Sequence, residues 1–508
     1  MPPATVRSAL DHTEQMDEVV RGVSDAMPDS DPDNPQNWPL HRKVYASVVA
    51  FLFAFAVAFG LTSYTTGIGG VVTEFNISMT LAIAPFSLYL VGIAFAPIYT
   101  PHATERFGRR PVYFVSLPIC ALFVLGAGRA QSTGALAILR FFAGLGGGPC
   151  LVLIEGTFAD VWPAKMTVTY YSGLTLASYL GAAFGAIILG NVIPSTPWRW
   201  TSYVSLVVCL TACLIGVGVP ETYPREIIRA RAKRAGRPHN VPSAESGTTL
   251  CRMARLTIVD PLIMAFTEPI VIFTTLYVSI VFGTTFQWFI AVPAALNLTY
   301  GFGIRPSGLA FISAVVGALF AAGSATLIEQ FMILSKTRQC KDQETVQQLE
   351  IEYRLVPAIV GGILMTGAFF WVGYTTVPTI SYPFPIIGTG VYVWGSMMVL
   401  ISYISYLFDA YPPAGTLSAL TLAASTRLLV AAAIPLAIIQ MITALGGNWA
   451  YATFGVISAA LYPINVVVFK FGARLRARSK YRAPSFVTVT LRSPQRIKSM
   501  PRTGVTPA

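Results

Sequence analysis

Twelve runs of about twenty apolar residues follow one another along the chain, each the length a helix needs to cross the hydrocarbon core of a bilayer. Six fall near residues 44–65, 80–100, 111–129, 135–159, 169–192 and 200–219. After a polar stretch at 220–256, six more fall near 262–294, 306–331, 355–376, 384–408, 415–443 and 449–469. The pattern predicts an all-α membrane protein with twelve transmembrane helices in two six-helix halves. On this reading residues 1–40 are a disordered cytosolic tail, 41–219 the first half, 220–260 a cytosolic basic linker, 261–470 the second half and 471–508 a basic cytosolic tail. The first 38 residues, which run into DSDPDNPQNWPLHRK, are polar, acidic and proline-bearing. They lack the basic start and apolar stretch of a signal peptide.

Charge orients the bundle. Of 508 residues, 11% are charged and 54% hydrophobic, which excludes an ordinary soluble domain, where about a quarter are charged. With the amino terminus inside, the outer loops hold only Arg129, Arg199 and Arg305, the spans hold Arg140 and Arg427, and the other 30 of 35 Lys and Arg are cytosolic. That asymmetry places both termini in the cytosol. The sequons Asn76-Ile77-Ser78 and Asn297-Leu298-Thr299 both fall in outer loops on this topology, which makes Asn76 and Asn297 the candidate glycosylation sites of a glycoprotein.

The net charge of +12 sits in runs such as RARAKRAGR and KFGARLRARSKYR, beside spans, where it suits anionic lipid and not nucleic acid. Cys120, Cys150, Cys209 and Cys213 lie in apolar runs and Cys251 and Cys340 in connectors, without zinc-type spacing. Reduced thiols and no metal are expected. Nothing has the form of a P-loop, a dinucleotide fingerprint, a zinc-protease helix or a serine elbow. The expectation is a protein that makes and breaks no covalent bond, not an enzyme, with no cofactor. Two six-helix halves joined by a long connector suit a secondary transporter whose substrate site lies between the halves near mid-bilayer. Without a nucleotide motif, work against a gradient falls to an ion, most simply the proton.

Spaced motifs carry a resemblance. TERFGRRPVYF follows the second run, LRFFAGLGGGP opens the fourth, PWRW precedes the sixth and PETYPREIIRARAKR follows it. DPDNPQNWP stands before the first run, and the second half adds FTEPIVIFTTLYVSIVFG, RPSGLAF, EYRLVPAI, YLFDAYPPAGTLSAL and LGGNWA. In this order, over roughly residues 31–475, the chain resembles the major facilitator superfamily, in its fungal twelve-spanner drug:proton antiporter branch. The resemblance implies that Glu105, Arg109 and Asp160 form a conformational switch that holds the inner side closed. Glu105 and Arg109 are four apart and fit one helical turn; the alternative use of Arg106, Arg109 and Arg110 is as a topological anchor. Pro101 replaces the glycine that leads the superfamily's loop motif.

A charge inside a bilayer has to face protein or a water-filled cavity. Arg140 and Glu155 share a face of the fourth run to within about 60°, yet lie roughly 22 Å apart along the axis, so they do not pair directly. The resemblance gives Arg140 a part in proton coupling, by tuning a nearby acid or ordering a water relay. Glu155, Glu268 and Asp409 are the candidate proton carriers, and Arg427 the candidate buried cation of the second half. Glu155 and Asp409 also suit a purely structural role, bonding to helix ends.

Gly144 and Gly148 in the fourth run and Gly181 and Gly185 in the fifth suit close helix packing. LGAAFGAIILG resembles the antiporter motif of the family, with Gly190 as its last glycine, although Ala186 replaces its proline and Leu189 one glycine. The stretches TSYTTG, FSLYLVG, YYSGLTLASY, TTFQWF and YVWGSMM interleave aromatic and small polar residues, as the wall of a cavity for amphipathic molecules does. Tyr89, Gln287 and Trp288 are its candidate ligand contacts; interfacial belts also account for some of the aromatics.

The resulting expectation is a multi-pass plasma-membrane protein that functions as a monomer. It exports drugs, toxins or secondary metabolites in exchange for protons by alternating access. Its partners are a small amphipathic substrate, protons and the lipid bilayer, with no nucleic acid. A polyamine or nutrient carrier of the same fold is the nearest alternative, and a non-transporting sensor or receptor the alternative of another class.

Overall fold

A computed structural model describes residues 27, 31–162, 167–235, 254–337, 351–411, 413–477 and 479. Most of the expected amino-terminal and carboxy-terminal tails, the middle of the linker, Cys251 and Cys340 lie outside the described residues. All regular structure within them is helical.

In the first half, α1 (Leu40–Ser63) continues through a short 3-10 turn into the helix Ile68–Phe75. The second span is a pair, α2 (Met79–Ala94) and α3 (Ala96–Phe107), bent by 42°. Pro97 sits in the first turn of α3, where its missing N–H would have no partner in any case. Then come α4 (Arg109–Gly128), α5 (Thr133–Val161), α6 (Thr167–Val192) and α7 (Trp200–Gly216). Ser132 caps α5, its hydroxyl accepting from the Ala135 amide at 3.3 Å. The polar helix α8 (Pro224–Arg234) follows, with Glu226 in its first turn and Arg231, Lys233 and Arg234 in its last, as the helix dipole favours.

The second half contains α9 (Pro269–Tyr300), α10 (Ile312–Thr337), α11 (Val356–Thr375), α12 (Pro383–Ala410), α13 (Pro413–Leu445) and the pair α14 (Gly447–Leu461) and α15 (Pro463–Ala477). Among the described residues ten helical stretches are long and apolar enough to cross a bilayer. The bent pair α2–α3 supplies an eleventh and the shorter α7 the twelfth.

Two expectations from the apolar pattern need correction. The run 262–294 is broken at Glu268, whose extended backbone (φ −105°, ψ 100°) separates Asp260–Thr267 from α9. Pro269 is the reason, because a residue before proline is pushed out of the helical region. The sequon at Asn297 is not in a loop either. It lies in the last turns of α9, and the Asn297 Nδ2 donates to the Phe302 carbonyl at 2.8 Å. Asn76, by contrast, is exposed in the left-handed turn (φ 49°) between the first two spans.

Packing repeats across the halves. Spans one and five (α1, α6) and two and four (α2, α5) lie against each other in the first half, and seven with eleven (α9, α13) and eight with ten (α10, α12) in the second. The seams between halves are formed by spans two and eleven (α2, α13) and by spans five and eight (α6, α10). Small residues permit the close approaches. A Cβ at Gly181 would overlap the Phe55 carbonyl, and one at Gly185 would come within 2.9 Å of the Phe59 carbonyl. Beside them Thr62 Oγ1 donates to the Ala182 carbonyl at 2.7 Å. A Cβ at Gly144 would overlap the Tyr89 carbonyl, and one at Gly148 would stand 2.5 Å from the Ala96 Cβ. Gly190 meets Gly308 across the seam between halves, where a Cβ would lie 2.9 Å from the opposing Cα. Large apolar side chains such as Leu122, Leu214 and Phe266 point outward, as a lipid-facing surface requires.

Candidate functional site

Arg140, at the end of the second turn of α5, is 2% exposed. Its guanidinium lies over the ring of Tyr64 at 4.5 Å and of Tyr89 at 5.5 Å, and its Nη1 donates to the Gly60 carbonyl at 2.6 Å. The ionisable groups around it are Tyr89, Tyr64 and Cys120, with no carboxylate among them. Inserting an arginine at mid-helix costs about 2.5–3.5 kcal/mol on the mild scale. A desolvated cation–π contact contributes about 2 kcal/mol, so two rings and a charge-assisted hydrogen bond offset that cost without a counter-ion. Tyr89 thereby departs from its expected place in a substrate cavity. It is fully buried, and its hydroxyl donates to the Val57 carbonyl at 3.2 Å, so it is a wall of the Arg140 cage.

At mid-depth, stretches read from the sequence as cavity wall converge. Tyr179 of α6 places its hydroxyl 3.4 Å from Thr285 Oγ1 of α9 and 3.3 Å from Ser396 Oγ of α12, which bridges the two halves. Tyr392 completes the cluster, 2.8 Å from Thr284 and 3.2 Å from Thr285. Gln287 is fully buried and neither atom of its amide has a hydrogen-bond partner among the described residues. Burying such a group without hydrogen bonds costs roughly 1–3 kcal/mol. Trp288 stacks face to face on Tyr392 at 4.0 Å, with Phe369 and Tyr451 edge-on. Those rings fill its faces and leave only the indole N–H without a partner.

One end of the bundle carries two ion-pair clusters. In the first half Arg109 Nε meets Asp160 Oδ2 at 2.8 Å. Gly156 makes room for it, because a Cβ there would overlap the guanidinium. Glu105 does not share a helical turn with Arg109, contrary to the spacing argument. Gly108 breaks the chain between them with φ 84°, and Glu105 pairs with Arg225 of α8 at 3.0 Å. Glu221, in the PETYPRE stretch, accepts from the backbone amides of Arg109 and Arg110 at 3.0 Å each, and from those of Thr222 and Tyr223. It therefore caps α4 from a distant segment.

The second half repeats this arrangement. Arg354 Nε meets Asp409 Oδ2 at 2.5 Å and its Nη1 lies 3.5 Å from Glu329. Asp409 is thus an ion-pair partner in the last turn of the tenth span, and not a carboxyl at its middle. Glu268 is likewise at a helix end, 1% exposed, where the Tyr411 hydroxyl donates to it at 3.4 Å. Glu155 differs from both. It lines a cavity near the end of α5 with Tyr171 of α6 and Phe408 of α12, and no described residue donates to its carboxylate. Arg427 of α13, over the Phe282 ring at 5.2 Å, is the cation within electrostatic range of it, and also senses Tyr179. Both of those partners belong to the first half, so Arg427 acts across the gap. The 15-residue separation of Arg140 and Glu155 stands, since α5 runs unbroken through both.

An outer clasp, Glu74 with Arg199 and the Trp198 indole, each at 2.6 Å, gives the PWRW motif a structural use. Glu74, Gly156 and Glu329 carry no sequence signal of their own, whereas Arg225 and Arg354 stand inside PETYPREIIRARAKR and EYRLVPAI without being singled out there.

The profile of the Major Facilitator Superfamily matches residues 50–435. The chain is 30% identical over 434 residues to the efflux pump FUBT of Fusarium oxysporum, covering 83% of this chain and 71% of that protein. It is 28% identical over 446 residues to polyamine transporter 4 of Saccharomyces cerevisiae, covering 83% and 67%. In three dimensions it superposes on the proton:xylose symporter XylE with a TM-score of 0.60 at 16% identity, over 85% of this chain and 96% of that one. With a profile that spans most of both halves and a helical bundle of the same fold, the chain belongs to the major facilitator superfamily and is a membrane transporter, not an enzyme.

Proposed function

We propose that this transporter exports amphipathic small molecules in exchange for protons, by alternating access between its two halves. The observation that carries the reading is Glu155, a carboxylate inside a span that faces the seam with no donor of its own, opposite the Arg427 cation of the other half. A carboxyl so placed exchanges its proton with whichever side the seam opens to, which is what coupling needs. Likeness to a pump named for efflux supports the outward direction.

Arg140 sets the geometry of the first half from within its aromatic cage. Arg109 and Asp160 form the inner latch, and Glu105 ties the latch to α8. Gln287 is the polar anchor for substrate, with Tyr179, Thr285 and Ser396 closing the site between halves. The positive-inside charge bias supports termini in the cytosol, and the plasma membrane is the site of action on this reading.

A second reading, a polyamine carrier, draws support from likeness to polyamine transporter 4. The assay is uptake into vesicles of purified protein, with and without an imposed pH gradient, using a fluorescent drug and a labelled polyamine. Gradient-driven movement of the drug supports the first reading, and movement of the polyamine alone the second. Transport indifferent to the gradient refutes proton coupling.

A further inference from the structure

Gln36 lies before the first span, yet it lines the cavity that Glu155 shares with Trp162, Tyr171 and Phe408. That cavity is about 110 Å³. A drug-sized molecule takes a pocket of roughly 300–1,000 Å³ and a single water on the order of 10–15 Å³, so the space suits several waters and no bulky ligand. Glu155 and Gln36 supply the polar groups that water needs there.

Residues 31–38 cross this end of the bundle as a strap. Pro35 and Trp38 are buried and anchor it, while Gln36 and Asn37 are exposed. Within the strap Asn37 Nδ2 donates to the Asp31 carbonyl at 2.9 Å, and the Gln36 amide donates to Asn34 Oδ1 at 3.0 Å. Two cations hold it from outside. Lys43 Nζ donates to the Gln36 carbonyl at 2.7 Å and lies 5.7 Å from the centre of the Trp162 ring, which ties the strap to the cavity wall. Arg231 of α8 donates from Nη1 and Nη2 to Asp31 at 2.7 and 2.9 Å, and its Nη2 also reaches Asp33. Helix α8 is itself fixed to the first half, because Arg225 pairs with Glu105 at 3.0 Å and Arg229 Nη1 donates to the Glu105 carbonyl at 2.9 Å.

The two holds differ. The Arg231 and Asp33 side chains are 47% and 59% exposed. Ion pairs so exposed are weak one by one and are screened by salt, so this clamp can let go while Lys43, Pro35 and Trp38 keep the rest of the strap attached.

We propose that the strap is a hinged cover over a water-filled vestibule in front of Glu155, with the Arg231 clamp as its catch. Released, the cover gives Glu155 an open path to the water at that end, the cytosol on the proposed orientation; clamped, it narrows the path. Arg231, Asp31 and Asp33 act through the strap and are positioning residues. The cover deepens the transport reading, since it sets when the proposed proton carrier meets bulk water, but it is tested by access alone.

The experiment uses the full chain in lipid nanodiscs, with Leu174→Cys in the buried cavity wall as reporter. Its rate of reaction with a charged methanethiosulfonate is read by peptide mass, which separates it from the native thiols. Arg231→Ala is expected to raise that rate about fivefold and Arg231→Lys by less. Gln36→Ala, which thins the cover and keeps the clamp, should raise it too. Salt at about 0.5 M should have the same effect on the native strap, which requires no strap variant to fold. Leu40→Cys, exposed beside the strap, should react alike in every background. Equal rates at Leu174→Cys with and without the clamp and at low and high salt overturn the cover, and so does reaction under the native strap as fast as at Leu40→Cys. Labelling that follows the clamp in a protein whose vesicle transport ignores the pH gradient keeps the cover and refutes proton coupling. Gradient-driven transport with labelling indifferent to the clamp does the reverse.

Discussion

Arg354 and Asp409 meet at 2.5 Å where the ninth span begins and the tenth ends, in the same relation that Arg109 and Asp160 hold at 2.8 Å in the third and fourth. In each half an arginine at the start of one span reaches an aspartate at the end of the next. On the proposed alternating-access reading, two matched ion pairs at one end of the bundle both have to give way when that end opens.

Asp160→Asn and Asp409→Asn should therefore each reduce transport, by about tenfold or more, since leaving an arginine partly buried without its partner costs a few kcal/mol. The reversed pair Arg354→Asp with Asp409→Arg should recover part of the loss. Vesicle transport normalised to the inserted protein, read beside cysteine labelling of the cytosolic mouth, checks this. A double mutant worse than either single mutant removes the pairing as the cause.

Arg140→Lys should perform little better than Arg140→Ala. A lysine keeps the charge, but it lacks the planar guanidinium that spans Tyr64 and Tyr89 while donating to Gly60. Tyr64→Leu should lower thermal stability of the purified protein by a few degrees and transport by more than Tyr64→Phe, which keeps the π face. Equal behaviour of the Leu and Phe variants would show that the ring is mere filling.

Glu155→Gln should flatten the dependence of transport on an imposed pH gradient while exchange between equal concentrations persists. The segment before the first span, which Arg231 of α8 holds through the Asp31 carboxylate, should not contribute to that pH dependence. Arg231 and the Asp33 amide hold the Asp31 carboxyl down to about 2, from an ordinary 3.8. A depressed acid stabilises the fold above its unfolded value and loses that contribution as pH falls through its folded value, so the clamp is intact from about pH 4 upward. Transport of Arg231→Ala measured from pH 5 to 8 should run parallel to wild type.

Gly156→Ala should insert and fold yet transport poorly, because its methyl group falls where the Arg109 guanidinium lies. Gly144→Leu is expected to fail earlier. Its side chain would have to displace the backbone of α2 at Tyr89, and detergent-solubilised protein should elute as aggregate. A monodisperse Gly144→Leu protein would refute the close approach.

Much of this molecule is legible from local pattern. Apolar runs of bilayer length have one low-energy form in lipid, because backbone groups without water must bond within their own helix. That is enough for an all-helical bundle of twelve spans. The spacing along one rigid helix likewise keeps Arg140 and Glu155 apart, and the glycines of the fourth and fifth spans lie at close helix approaches.

What tertiary structure decided is which charge meets which. Four residues of spacing suggested that Glu105 faces Arg109, yet the turn at Gly108 sends Glu105 to Arg225 and Arg109 to Asp160. Nothing local distinguishes Glu155, which faces a cavity, from Asp409, which is held by Arg354, since each is an acid in an apolar stretch. Nor does composition show a polar amino-terminal stretch reaching Arg231 some 200 residues away. Hydrophobic burial is non-directional and summed along a segment, so a single sequence displays it. Ion pairs and cages depend on a few ångströms between segments distant in the chain, and only the packed helices set those.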